Sequence, residues 1–302
     1  MLKKKQNLLQ PVRARATVIA SPGGRFLTDL DEASPFGARR ARWWERLIWR
    51  LTDARVFSRR LRQRLRKKFA RPITGPFDVT FEKMKFRLYP AENYCDRILF
   101  GRHQLPEKEE HESLTPFITP GMTFVDVGAN VGSYSVFVGE KCSGDVRLLA
   151  FEPHPRTYRK LLYNLQANGL VTQDVINCGV GSRSETLKLW SDGGSNIGHT
   201  SMLPEGTSKA KVSVDVPVTT LLETCSERNI RAIDLLKIDI EGFEDRAISP
   251  FLDTAEKHML PKAILIEIAH QHLWETDLLK QFDELGYKIV SRTKENLLLQ
   301  LS

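Results

Sequence analysis

The stretch Phe124-Val125-Asp126-Val127-Gly128-Ala129-Asn130-Val131-Gly132-Ser133-Tyr134 reads as a short apolar strand, a glycine-bearing turn and, from Ser133, the start of a helix. Such a junction turns backbone N–H groups and the positive end of a helix toward a ligand. Gly128 and Gly132 omit the Cβ atoms that would hold ligand and helix apart. Taken alone, a glycine pair after a strand is also ordinary turn chemistry.

Reading outward, a second strand from Val146 to Phe151 ends in Phe151-Glu152-Pro153. Glu152 stands 24 positions after Gly128, close to where doubly wound nucleotide folds place the carboxylate that holds ribose hydroxyls. The plainer alternative is a solvated acid at a strand end. The turn reads Gly-Ala-Asn-Val-Gly rather than Gly-x-Gly-x-x-Gly, and Asp126 precedes its first glycine. A carboxylate there repels a pyrophosphate and suits a cationic amino-acid moiety, which points to S-adenosylmethionine.

The remaining periodicities extend the pattern. A helix is expected over Pro155 to Ala167, with Pro at its first turn and Asn168-Gly169 at its stop. Further strands are expected at Val175 to Asn177, Leu235 to Ile240 and Ala263 to Ile268. A helix near Leu273 to Leu285 and closing strands at Tyr287 to Ser291 and Leu297 to Leu301 complete the series. Strand and helix in turn imply an α/β, doubly wound parallel sheet. Phe77 to Tyr89 alternates as a hairpin does. The segment Glu185 to Val218, with Gly193-Gly194-Ser195-Asn196-Ile197-Gly198, breaks the rhythm and reads as an inserted hairpin and loop over the sheet's carboxyl edge.

These motifs together resemble the FkbM-type methyltransferases: Asp126 to Tyr134; Phe151-Glu152-Pro153 with Asn164 and Asn168-Gly169; Leu236-Lys237-Ile238-Asp239-Ile240-Glu241-Gly242; and Ile266-Glu267-Ile268. The resemblance covers about residues 90 to 300. It implies a class I, Rossmann-like, S-adenosylmethionine-dependent methyltransferase with a mostly parallel seven-stranded sheet, and methylation of hydroxyl oxygens on polyketides, sugars or related small molecules. It also implies that Gly128, Ala129, Asn130 and Gly132 surround the methionine part with Asp126 beneath, and that Glu152 beside Pro153 grips the ribose. Gly179 and Val180, in Asn177-Cys178-Gly179-Val180-Gly181, would then lie against the adenine.

The tips of the fourth and fifth strands carry Asp239, Glu241, Glu267 and His270. A hydroxyl acceptor sheds its proton at or after methyl transfer, so a carboxylate or imidazole within reach assists it. Asp239 and Glu241 are the leading candidates; Glu241 and Glu267 could equally satisfy backbone donors at loop starts. No ligand spacing diagnostic of a metal is present. His199 in the insertion reads as a substrate contact or an ordinary loop histidine. Cys95, Cys142, Cys178 and Cys225 lie far apart and read as small hydrophobes in a reducing, cytoplasmic setting.

The chain has 302 residues, 41% hydrophobic and 27% charged, which suits a folded protein with a sizeable core. Its formal charge of +8 is concentrated at the N-terminal end. Residues 1–38, including Ser21-Pro22-Gly23-Gly24, read as a flexible basic lead, residues 39–71 as a basic amphipathic helical extension broken near Thr52-Asp53, and residues 77–302 as the catalytic domain with its core from 120. In residues 39–71, Trp44, Leu47, Ile48 and Leu51 form one apolar stripe and Phe57, Leu61, Leu65 and Phe69 another, with arginines and lysines between. Such a segment docks on its own domain, lies on an anionic membrane surface, or follows nucleic-acid phosphates. No Asn-Pro-Pro-Tyr, Asp-Pro-Pro-Tyr or Pro-Cys motif marks a nucleic-acid methyltransferase. A noncatalytic scaffold on the same fold is the other class.

Overall fold

A computed structural model describes residues 29–54, 56–191, 200–207 and 212–302. Most of the expected flexible lead, the Gly193 to Gly198 loop and His199 lie outside the described residues. The chain enters through α1 (Trp43–Thr52) and α2 (Arg59–Leu65), which runs into a π-helical turn at Arg66–Ala70. An antiparallel hairpin of β1 (Phe77–Phe81) and β2 (Met84–Leu88) follows, then α3 (Tyr94–Arg102) and α4 (Lys108–Leu114). The alternating portion comprises β3 (Met122–Val127), α5 (Ser133–Lys141), β4 (Val146–Phe151), α6 (Pro155–Ala167) and β5 (Val175–Ile176).

The chain then leaves the main sheet for β6 (Gly179–Val180), β7 (Glu185–Ser191), β8 (Thr200–Ser201) and β9 (Val212–Thr219). These form a second, four-stranded sheet, where the sequence suggested a hairpin. Helix α7 (Leu221–Glu227) leads back to β10 (Leu235–Ile238), α8 (Glu244–Thr254), β11 (Ala263–Glu267), α9 (Leu278–Glu284), β12 (Tyr287–Arg292) and β13 (Asn296–Leu301).

The main sheet has seven strands in the order β12-β13-β11-β10-β3-β4-β5. Pairings from β11 through β5 are parallel, and β13 runs antiparallel to both its neighbours. This is the expected doubly wound, Rossmann-like sheet. Its central strands are buried on both faces, which is why they read as nearly unbroken apolar runs, while the edge strand β12 is largely exposed. Alternation sends Val125, Val127, Leu236 and Ile238 into one core and Phe124, Leu235 and Leu265 into the other. The order reverses between β3 and β10, and the crevice beyond their carboxyl ends is the place such sheets offer a ligand.

Three expectations need correction. The helix near Leu273 to Leu285 begins only at Leu278. The N–H groups of Glu275 and Thr276 donate to buried Asp245 and hold the chain extended, and Asp277 then caps α9 by accepting from the Lys280 N–H. The flexible lead does not extend to residue 38: the Arg87 guanidinium donates to the carbonyls of Asp31, Ser34 and Pro35 while pairing with buried Asp78. Finally, of the apolar stripe on α1 only Ile48 packs against the core, while Trp44, Leu47 and Leu51 stay exposed. The helix buries Trp49 and Thr52, and the Trp49 indole donates to the Ile73 carbonyl at 3.1 Å.

Candidate functional site

The turn after β3 is built for close approach. Gly128 has φ +77°, and a Cβ there would lie 2.1 Å from the Asp239 carbonyl oxygen. Gly132 has φ +88°, and its Cβ would meet Leu161 at 2.8 Å. Glycine thus lets the turn touch the tip of β10 on one side and α6 on the other. The N–H groups of Gly128 and Ala129 both donate to the Phe151 carbonyl, tying the turn to the end of β4. Asn130 adopts φ +52° and accepts from the Asn93 amide at 2.7 Å.

Asp126 sits beneath this turn, fully buried, and accepts from Ser135 Oγ at 2.6 Å. Opposite it in the β3–β10 register stands Lys237. The Lys237 ammonium donates to the Gly128 carbonyl at 2.8 Å and lies 3.7 Å from Asp126 and 3.5 Å from Asp239. Burial would lower its pKa, but Asp239, Asp126 and Glu107 outweigh burial and raise it. Asp126 is therefore offset by an internal lysine and does not line the crevice. Ala129, Ser133 and Gly132 likewise shape the turn from behind.

Glu152 at the end of β4 does line the crevice. Its carboxylate accepts from the Asn130 N–H at 2.9 Å and the His154 N–H at 2.8 Å, fixing it at the strand tip. Burial raises its pKa to about 7 against the lowering effect of those donors. Pro153 lies beside it on the crevice wall.

Beyond β10 the backbone takes φ +57° at Glu241 and +97° at Gly242, which ends the strand two residues earlier than the sequence suggested. The carboxylate that satisfies this loop is Glu244, which accepts from the N–H groups of Ile240 and Gly242 and from the Trp274 indole. That leaves the Glu241 side chain turned toward Glu267 and His270. His270 Nδ1 lies 3.5 Å from Glu241 Oε2 and 3.5 Å from Glu267 Oε1. Burial, with Asp239 and Glu241 nearby, pushes Glu267 up to about 11, so it holds a proton at neutral pH. One donor atom from each of Glu241, Glu267 and His270 falls within 4.8 Å of the others, a spacing that also fits a divalent cation.

These groups share a cavity of about 280 Å³. Of the expected residues it brings together Gly128, Asn130, Glu152, Pro153, Asp239, Glu241, Glu267 and His270. It does not include Gly179 and Val180: they form β6, pair with Val218 and Thr219, and are buried in the second sheet. Sequence reasoning missed Tyr94 and Cys95 at the start of α3, Glu107 just before α4, Leu189 and Thr200 from the second sheet and Met202 just after β8, all of which line the cavity. Glu107 accepts from the Tyr134 hydroxyl at 2.7 Å, and burial together with Asp239 raises its pKa to about 7. An isolated lysine in the apolar run of β10 was the available signal for Lys237; nothing comparable marked Glu107.

Residues 126–289 match the family model described as the methyltransferase FkbM domain. Methyltransferase sdnD of Sordaria araneosa is 30% identical over 149 residues, covering 40% of this chain and 56% of that protein. The 31-O-demethyl-FK506 methyltransferase FkbM of Streptomyces tacrolimicus is 28% identical over 157 residues, covering 44% of this chain and 60% of that protein. The chain thus spans little more than half the length of these curated relatives. Among solved structures, methyltransferase FkbM from Methylobacillus flagellatus KT aligns with a TM-score of 0.43 at 17% identity, covering 80% of this chain and 53% of that one.

Proposed function

Because the chain belongs to the methyltransferase FkbM family, we propose that it transfers a methyl group from S-adenosylmethionine to a hydroxyl oxygen of a small-molecule or glycan acceptor. The observation that carries this reading is one cavity, at the switch point between β3 and β10, that joins the Glu152 strand tip to the Asp239, Glu241, Glu267 and His270 cluster. When bound, the cofactor supplies an electrophilic sulfonium methyl, so the protein's main task is alignment.

The residues present fit that cofactor. Glu152 offers a fixed carboxylate to ribose hydroxyls, and Gly128 and Asn130 present backbone at the turn. Asp239 and Glu241, joined by Glu107 as it ionises above about pH 7, give the cavity an acidic character that favours a cationic ligand over a pyrophosphate. The electrostatic preference foreseen for Asp126 thus comes from different carboxylates. At the acceptor end, His270 is the proton acceptor of this proposal: the hydroxyl proton passes to its ring as the new carbon–oxygen bond forms, and the Glu241 carboxylate steadies the imidazolium. Glu267, already protonated, keeps a third negative charge out of the cluster. Tyr94, part exposed at the cavity wall, adds an aromatic face suited to a sugar ring.

Calorimetry with S-adenosylmethionine or its demethylated product tests the reading. Micromolar-range binding that disappears in Glu152→Ala is expected, and absence of binding to the parent chain would overturn it. Transfer of labelled methyl from the bound cofactor to hydroxyl-bearing glycans then tests the acceptor class. A second reading rests on the donor spacing of Glu241, Glu267 and His270: a divalent cation held there would lower the hydroxyl pKa itself. Turnover that survives a chelator favours the imidazole; turnover lost to the chelator and restored by magnesium or manganese favours the cation.

A further inference from the structure

Residues 42–71 contain twelve Lys and Arg against two acidic residues. Within the same stretch fall seven of the twelve exposed large apolar side chains among the described residues. Trp43, Leu47 and Leu51 recur every four residues and so share one face of α1, with Trp44 beside them. Trp43 is 78% exposed and Leu51 54%. Leu61 and Phe69 continue the exposed apolar character among the arginines and lysines of α2 and the π turn.

This uncovered face belongs to an anchored element. Trp49 and Thr52 are buried on the opposite side of α1, and buried Asp53 pairs with Arg66 and Arg102 across the bend between the helices. Among the described residues, Asp53 is the carboxylate that partners this cationic set, and it takes Arg66. The segment therefore combines a fixed scaffold, an unpartnered apolar arc and a surplus of positive charge.

We infer that residues 42–71 form a docking surface for an anionic lipid bilayer, with Trp43, Trp44, Leu47 and Leu51 entering the headgroup boundary and the flanking Arg and Lys meeting lipid phosphates. Charge complementarity selects the anionic partner, and the continuous arc selects lipid: an acyl boundary takes up Leu47 and Leu51 together with both tryptophans, whereas single-stranded bases would stack on the indoles and leave the leucines uncovered. No helix among the described residues is long and apolar enough to cross a membrane, so this contact lies on the bilayer. Helix α1 packs on α3, whose first residues Tyr94 and Cys95 line the cavity, so docking sets the cavity one helix away from the surface. The surface stands on its own observations, whatever the methyl acceptor proves to be.

The test is sedimentation of the full chain with phosphatidylcholine vesicles that carry or lack phosphatidylglycerol, at low and high salt. The parent is expected to pellet with the anionic vesicles and to be released by salt. Trp43→Ser/Leu47→Ser/Leu51→Ser and Arg59→Glu/Arg60→Glu/Arg64→Glu should each lower partitioning by about tenfold or more. An unchanged unfolding midpoint serves as the folding control for each variant. Equal recovery with and without phosphatidylglycerol, or recovery indifferent to the apolar variant, overturns the inference. So does binding of single-stranded RNA that survives the apolar variant, is lost in the charge variant and has no vesicle counterpart.

Discussion

The Lys237 ammonium donates to the carbonyl oxygen of Gly128 at 2.8 Å, joining the tip of β10 to the turn after β3 from inside the protein. The same ammonium is the nearby cation for fully buried Asp126. Lys237→Met keeps most of the stem and removes the charge, leaving Asp126 buried without it. Unfolding in urea should show a loss of about 3–5 kcal/mol, the usual cost of breaking a buried pair from one side. A loss below about 1 kcal/mol would mean the pair is not what holds the turn.

Gly128 and Gly169 separate backbone strain from collision. Both have positive φ, but a Cβ at Gly169 meets nothing within 4 Å, whereas at Gly128 it runs into the Asp239 carbonyl. Gly169→Ala should cost about 1 kcal/mol and leave cofactor affinity unchanged. Gly128→Ala should cost more than that and weaken cofactor binding by at least about tenfold, because the turn and the β10 tip must move apart. Matched urea titrations and calorimetry on the two variants check this.

Glu107 predicts a signed pH effect. Its folded pKa, raised by burial and Asp239 to about 7, exceeds the usual 4.5, so the folded state holds an extra proton between those values. Its contribution to stability is therefore fully present below about pH 4.5 and is lost as pH rises through about 7. Glu107→Gln mimics the protonated acid and can still accept from Tyr134. Between pH 4.5 and 8 the variant should gain on the parent by about 3 kcal/mol, read from urea midpoints across that range. Parallel curves would contradict the shift.

The acidic cluster distinguishes a proton holder from a proton acceptor. With Glu267 already neutral at pH 7, Glu267→Gln should keep most of the turnover. His270→Ala should lose about 10²- to 10⁴-fold in kcat with cofactor affinity intact. Single-turnover methyl transfer on both variants checks the contrast; equal losses would remove His270 from the role proposed for it.

How much of this was legible in the sequence depends on the range of the interaction that places each residue. The Gly128 turn, Glu152 and the extent of α6 follow from neighbours within a few positions, so apolar runs, glycine and Pro155 announce them. Glu107 reaches the cavity because α4 packs beside Tyr134, a contact no local pattern encodes. Leu189 and Met202 arrive through a second sheet whose pairing crosses dozens of residues. Glu241 and Glu244 illustrate a finer limit: both are acids at one strand end, and only the positive φ values at Glu241 and Gly242 decide that Glu244 caps the loop while Glu241 turns outward. On α1, helical spacing located the apolar stripe correctly as a stripe, yet the buried contact uses Trp49 on another side, because burial is decided by what lies opposite.

Arg87 carries a consequence for any shortened version of the chain. Its guanidinium is satisfied by main-chain oxygens of Asp31, Ser34 and Pro35, so a truncation made at Arg39, where composition suggests the folded portion starts, would leave an embedded cation short of three acceptors. The minimal autonomous unit accordingly reaches back to at least Asp31, and deletion mapping of the basic extension has to be done by substitution within it rather than by removing it.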